Sequence, residues 1–445
     1  MRARRVSAPE RVVPSTDGVD LPAWPLGALF VGFPALWLLG VGDVSWTIVG
    51  VVMAFYLLRF GRPRVPAGFG IVLLFLVWVG LSVIAIDTFS RLLGFGFRYA
   101  QYISLAIVFV YVYNARRSLP LDRLLGFLSA FWIWMVAGGY LGLLFPSTTI
   151  RTPLAMVLPS SLLSNELVQR MAILHLTQGY DPDAWVPGDP RPSAPFLYTN
   201  NWGNAFSLLL PLVILYIVRL NPGWRRRLLI AAVPVSMVPA FLTLNRGMFL
   251  GLGVAAVVIA VRFALQAKFK AIVLMGAVFV VGAAMVAVLP VSDRLDSRLE
   301  VSGTNTGRTE VYAETIARTM TSPLFGFGAP RPADTSSALP PAGTQGQVWM
   351  VMFSHGFVGI ALFIAILLWM IYQAFRWRDT AGVVISGVLV ALLVEVFYYG
   401  VLGAGLCIAF IVGAVAMREH IQGSSASALA DPPSRKGAVG ANASH

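Results

Sequence analysis

Apolar residues run through this chain in blocks of about 20, separated by short polar or basic connectors, a length at which one helix crosses a bilayer core. Twelve stretches qualify, some narrowly: 24–41, 44–60, 67–86, 92–113, 124–145, 196–218, 228–244, 247–261, 271–290, 347–375, 380–398 and 401–417. The pattern predicts an all-α polytopic membrane protein with about twelve transmembrane helices. Two connectors are far longer than a turn between helices needs, at about 146–195 and 291–345, and connectors of that length carry function or disorder. The second predicts a helix over Arg308–Met320, between a Gly303–Gly307 turn and the break at Pro323.

Composition strengthens this picture. Hydrophobic residues make up 57% of the 445 positions and charged residues only 12%, too few charges to cover a water-facing surface of that size. The net charge of +13 matters through its distribution. Every second connector is basic: Arg59, Arg62 and Arg64; Arg116, Arg117 and Arg123; Arg219 with Arg225–Arg227; Arg262, Lys268 and Lys270; Arg376 and Arg378. Assigned to the cytoplasm with both tails, they hold 22 basic against 7 acidic residues, whereas the opposite side holds 11 against 12. That asymmetry is the positive-inside signature. It puts both termini in the cytoplasm and both long loops outside the cell membrane, and it accounts for the charge without nucleic acid as a partner.

Residues 1–23 read as a disordered basic head, retained as an anchor because no cleavage site follows the first apolar run. The membrane domain covers 24–418, and the Ser-, Ala- and Pro-rich tail 419–445 reads as disordered. The single cysteine, Cys407, excludes an intramolecular disulfide and a thiolate metal centre. Histidines at 175, 355, 420 and 445 have no metal-ligand spacing.

Polar residues at the outer ends of the apolar blocks carry the candidate chemistry. Arg191 precedes Asn200, Asn201 and Asn204, which fall within about one helical turn. Asparagines in a membrane helix face the protein interior or a polar cavity, or else cap the helix start. Asn245-Arg246-Gly247 forms a tight outer turn, and Arg246 is the one charge between Arg227 and Arg262. A guanidinium stays charged and offers a fork of donors suited to phosphate oxygens, although a boundary arginine can also simply reach for lipid headgroups. Arg308 opens the loop helix, and neither Glu310 nor Glu314 stands at the i,i+3 or i,i+4 spacing that pairs charges within a helix. Gln345, Gln347, Ser354 and His355 are the polar residues of the tenth apolar stretch, with His355 some 15 Å deeper than Gln345 at ~1.5 Å per helical residue. Glu395 is the one carboxylate well inside an apolar block, and His355 is its possible partner.

Taken together, four of these segments resemble the bacterial O-antigen ligase/polymerase superfamily of polytopic glycosyltransferases. The matches are Arg191 with Asn200/Asn201 opening a span; the Asn245-Arg246-Gly247 turn; Gly307 and Arg308 at the start of a loop helix that ends in Pro323-Leu-Phe-Gly-Phe-Gly328; and Gly356-Phe-Val-Gly359 in the span that follows. The resemblance covers roughly Arg191–Leu368, and earlier spans agree only in number and polarity. It departs at the family's histidine, thought to be the base for the acceptor hydroxyl, which falls on Gln345. Glutamine cannot take a proton. His175, Glu166, Glu310, Asp334 and His355 are the substitutes considered, Asp334 being nearest in sequence.

The resemblance implies a glycosyltransferase that moves or polymerises a glycan from an undecaprenyl-diphosphate-like carrier onto an extracytoplasmic glycan or lipid acceptor. Arg246 and Arg308, supported by Arg191, would hold the diphosphate. Asn200, Asn201, Asn245 and Glu395 would line the cavity, with Gln345, His355 and Asp334 in catalytic positions. No cofactor or metal is required, since the arginines supply the positive charge. A transporter of lipid-linked oligosaccharide or another polar solute is the runner-up, although repeated halves, common in that class, are not visible. A homologue that binds lipid-linked glycan without turnover is the third reading.

Overall fold

The computed structural model describes residues 21–61, 63–180, 190–270, 304–334 and 340–430, with isolated positions between 272 and 280. The head 1–20, most of the apolar stretch 271–290, and the tail beyond 430 lie outside the described residues. Helices account for most of the rest: α1 (Trp24–Phe30), α2 (Phe33–Leu38), α3 (Gly42–Phe60), α4 (Gly70–Leu81), α5 (Phe89–Asn114) and α6 (Leu121–Leu144). The first long loop holds three short helices, α7 (Pro153–Val157), α8 (Ser160–Leu163) and α9 (Glu166–Ala172). It also holds two small antiparallel ladders, β1 (Thr149–Arg151) with β2 (Ile173–His175) and β3 (Thr177–Gln178) with β4 (Arg191–Pro192). Then follow α10 (Thr199–Arg219), α11 (Trp224–Leu242), α12 (Arg246–Leu265), α13 (Thr304–Thr319), α14 (Gln347–Arg376), α15 (Thr380–Glu395) and α16 (Ala404–Ala430).

Among the described residues, α3, α5, α6, α10, α12 and α14 are long and apolar enough to cross a membrane, and Gly70–Ala85 and α15 are shorter apolar helices. The stretch 24–41 is not the single span its hydropathy predicts. It breaks into α1 and α2 because Pro34, in the first turn of α2, has no N–H to continue the ladder from α1. At the bundle's centre stands α10, flanked by α6, α12 and α15 and buried over most of its length.

The basic connectors touch one another. Arg418 donates to the carbonyls of Val112 and Leu119 at 3.0 and 2.6 Å, and Asn114 exchanges hydrogen bonds with the backbone of Arg64. Arg262 donates to the carbonyls of Ala374, Phe375, Trp377 and Gly382 and to Ser386 Oγ. These guanidiniums replace the missing helix partners of carbonyls in and just after the last turns of α5 and α14, where the helix dipole also favours a cation.

The second long loop is fastened to α14 at a break. Gly356 has φ 69° and ψ −171° inside that helix, so the carbonyls of Phe353 and Ser354 lose their helical donors. The N–H groups of Phe327 and Gly328 replace them at 2.9 and 2.8 Å, Phe357 N–H donates to Pro323 O at 2.8 Å, and Trp78 Nε1 donates to His355 O at 3.0 Å. The Pro323–Gly328 motif thus makes a backbone joint. A Cβ on Gly356 would stand 2.2 Å from Leu324 O. Arg91 clamps the same strand from α5, donating to the carbonyls of Phe327 and Ala329 and to Asp87, whose carboxyl that bond holds below the ordinary range.

Gly356→Ala should therefore destabilise the protein by about 2–4 kcal/mol, from a backbone conformation closed to side chains plus overpacking. Thermal unfolding in detergent reads this as a midpoint several degrees lower. An unchanged midpoint would mean that the joint does not hold the loop.

Candidate functional site

At the end of the bundle opposite the basic connectors, residues from five segments surround a cavity of about 460 Å³. Arg191 reaches it from β4, Arg246 from the first position of α12, and Arg308 and Tyr312 from α13. Asn200, Asn245, Tyr398 and Tyr399 complete the polar wall, and no carboxylate is among the described lining residues. Three guanidiniums line one space, and the like charges of Arg246 and Arg308 favour the entry of an anion. Neither Arg246, which is exposed, nor Arg308, half-buried, has a hydrogen-bond or ion-pair partner among the described residues.

Local structure explains how each group is held. Gln178 pairs with Arg191 across the β3–β4 ladder, and the Gln178 side chain accepts from Thr199 N–H at 2.9 Å, which caps α10. Arg191 Nε donates to Thr243 O at 3.0 Å, tying β4 to the approach of α12. Asn245 is buried, donates to Thr199 O at 3.2 Å and accepts from the Tyr399 hydroxyl. Glycines make room for that contact. A Cβ on Gly203 would fall 2.1 Å from Asn245 Nδ2, and one on Gly247 would fall 2.3 Å from the Tyr399 oxygen. The Asn-Arg-Gly turn is therefore a unit: asparagine anchors, arginine projects, glycine admits tyrosine. On the opposite wall, the Tyr312 hydroxyl donates to Gln345 O at 3.0 Å, its ring stacks on Trp349 with centroids 4.5 Å apart, and burial raises its phenol above the ordinary pKa.

The asparagine cluster divides its work. Asn200 lines the cavity, Asn201 donates to Gly400 O at 3.2 Å, and Asn204 donates to Glu395 Oε2 at 2.5 Å inside the bundle. None caps α10, because Gln178 does that. The Glu395 carboxyl lies one helical turn before Tyr399, against Gly251, and Asn204 lies against Gly405.

His355 does not pair with Glu395. It is buried at the α14 break, its Nδ1 2.7 Å from Ser82 Oγ, with the Phe95 and Tyr102 rings beside it. Asp334 lies exposed on the second loop, 3.3 Å from Arg318. Neither is among the residues that line the cavity. Gln345 is likewise not among the described lining residues; its backbone carbonyl accepts from the lining residue Tyr312. Glu310 is exposed on α13, next to the lining residue Thr309. Glu166 and His175 belong to a second cavity of about 630 Å³ in the first long loop; burial and then Arg170 lower the His175 pKa, so the neutral imidazole prevails further into the acidic range. Among the described residues no group of three His, Cys, Asp or Glu is placed to hold a metal ion.

Sequence reasoning missed Tyr312, Tyr398, Tyr399 and Gln178. The Tyr398-Tyr399-Gly400 run at the outer end of an apolar block was the available signal for two of them, but it also fits an interfacial aromatic belt. Tyr399→Phe should cost about 1–3 kcal/mol, because it leaves the Asn245 amide oxygen buried without its donor. The unfolding midpoint should fall, and pyrophosphate affinity with it as the Arg246 turn loosens. Wild-type values for both would remove Asn245–Tyr399 from the site's framework.

No protein-family model and no curated protein matches the chain, so the case for its chemistry rests on these residues.

Proposed function

We propose that the protein is a membrane glycosyltransferase that takes a glycan from a polyprenyl-diphosphate carrier and transfers it to an acceptor hydroxyl on the extracytoplasmic face of the cell membrane. The observation that supports this reading is the convergence of Arg191, Arg246 and Arg308 on one cavity, with no carboxylate among its described lining residues. The reading has about twelve spans and both termini in the cytoplasm, in keeping with two sets of connectors that gather at opposite ends of the helices.

The carrier diphosphate is both handle and leaving group. As the bond from the anomeric carbon to the diphosphate oxygen breaks, the electron pair stays on the diphosphate, and preorganised guanidiniums stabilise that growing charge. The acceptor oxygen forms the new glycosidic bond and gives its proton to a base. Gln345 has no basic group to offer, His355 is enclosed beside Ser82, and Asp334 is held by Arg318. Glu310 is not itself among the described lining residues, but it is exposed and follows the lining residue Thr309 in α13, and this reading assigns it the base. Gln345 orients the acceptor.

Purified protein incubated with labelled polyprenyl-diphosphate oligosaccharide and acceptor should release the lipid diphosphate. Uptake into vesicles without bond cleavage would instead mark a transporter, and binding without cleavage a homologue that has lost turnover. Arg246→Lys should lose nearly as much activity as Arg246→Ala, about 10–100-fold, since a point charge does not reproduce a two-pronged fork on phosphate. A lysine variant with most of its activity would reduce Arg246 to a boundary charge.

Glu310→Gln should slow transfer by roughly 10²–10⁴-fold, the usual worth of a general base, with carrier affinity near wild type. A rate within a few-fold of wild type would take the base role from Glu310.

A further inference from the structure

The cavity in the first long loop has the opposite character to the arginine cavity. Its volume of about 630 Å³ falls within the roughly 300–1,000 Å³ of small-molecule sites. The rings of Trp37, Phe196 and Tyr180 line it together with the amides of Gln169 and Gln178 and the carboxyl of Asp43. Phe196 and Trp37 are held from behind: Phe196 packs on Phe33 and Phe131, and Trp37 is nearly buried in the same core. Their exposed edges are therefore fixed surfaces.

Asp43 is the telling group. It stands in the first turn of α3, yet that helix has no side-chain cap, and the carboxyl has no hydrogen-bond or ion-pair partner among the described residues. Glu166, by contrast, is satisfied by Arg170 at 2.9 Å on the same wall. An ionised carboxylate offers only acceptors. A ligand that meets it must bring paired donors and no negative charge, and one that meets the rings must bring an apolar face. Vicinal hydroxyls and the C–H face of a pyranose combine these properties. The side-chain amides add one donor and one acceptor group each.

The cavity also has a structural link to the arginine site. Gln178 lines it, pairs in the β3–β4 ladder with Arg191, and caps the turn of α10 that carries Asn200; Arg191 and Asn200 both line the arginine cavity. We infer that the Asp43 cavity is a binding site for a short uncharged oligosaccharide, the glycan of the transfer reaction, separated from the diphosphate site by the wall that Gln178 builds. The role as the reaction's glycan rests on the glycosyl-transfer reading; the affinity for sugar rests on the cavity alone.

The test uses full-length protein in detergent, titrated with two probes: a panel of free uncharged oligosaccharides of two to four residues, and inorganic pyrophosphate. At least one oligosaccharide should bind saturably. Asp43→Asn, which keeps shape and removes charge, should weaken it tenfold or more, as should Trp37→Leu, while Arg246→Ala leaves it unchanged. Pyrophosphate should show the reverse dependence. Both variants must elute as the wild-type species does, and Asp43→Asn decides if Trp37→Leu does not. Sugar binding that ignores Asp43→Asn, or no sugar binding by a protein that binds pyrophosphate, overturns the inference and leaves the proposed function standing. Sugar binding without pyrophosphate binding sinks the diphosphate reading and keeps the cavity. A polyprenyl-diphosphate oligosaccharide then identifies the source. If the glycan is the donor's, Asp43→Asn weakens its binding as well; if it is the acceptor's, free sugar and lipid-linked donor bind independently.

Discussion

Backbone carbonyls inside an apolar bundle must find donors, and the break at Gly356 leaves two of them without their helical partners. The N–H groups of Phe327 and Gly328 supply those donors. Because the Pro323–Gly328 turn meets that need against the helix, the second long loop is held there. Its helix then delivers Arg308 and Tyr312 to the cavity wall, and Arg91 and Arg318 fasten the turn through Phe327, Ala329 and Pro332. A satisfied backbone at one glycine is thus the condition for a functional surface built by a loop.

The cavity depends on a second constraint, charge without compensation. Several arginines elsewhere are answered: Arg262 and Arg418 by backbone carbonyls, Arg318 by Glu314 and Asp334, Arg170 by Glu166. At the cavity, Arg246 and Arg308 face a shared space, with Arg191 braced beside them by Thr243. Such an arrangement raises the energy of the empty site through mutual repulsion and lowers it when an anion with several oxygens enters. It contrasts with the Asp43 cavity, where Arg170 is paired with Glu166 and the Asp43 carboxylate stands beside fixed rings.

Much of this was legible in the sequence, for physical reasons that differ by element. Long apolar blocks located most of the described helices within a few residues, although α16 continues to Ala430 through the start of the tail expected to be disordered. An arginine in an apolar setting stood out because it is costly there, and Arg191, Arg246 and Arg308 line one cavity. The failures also have causes. Hydropathy summed over 24–41 cannot register that Pro34 breaks the hydrogen-bond ladder. His355 looked functional because it is polar in an apolar block, whereas its contacts with Ser82 and the α14 break are local packing. Asn204 and Glu395 find each other across 191 residues, a pairing that no spacing rule encodes. Tyrosines are common at membrane boundaries, so Tyr312 and Tyr399 carried no distinct signal, and Gln178 acts through a ladder that only the folded loop creates.

The central claim is that three arginines from separate segments form one anion site, and titration of purified protein with polyprenyl diphosphate tests it most directly. Arg191→Lys, Arg246→Lys and Arg308→Lys should each weaken binding by roughly tenfold or more, the loss of a charge-assisted hydrogen bond, while the fold is kept. Wild-type affinity in any two of the three variants would contradict a shared site and leave those arginines as boundary charges at the membrane surface.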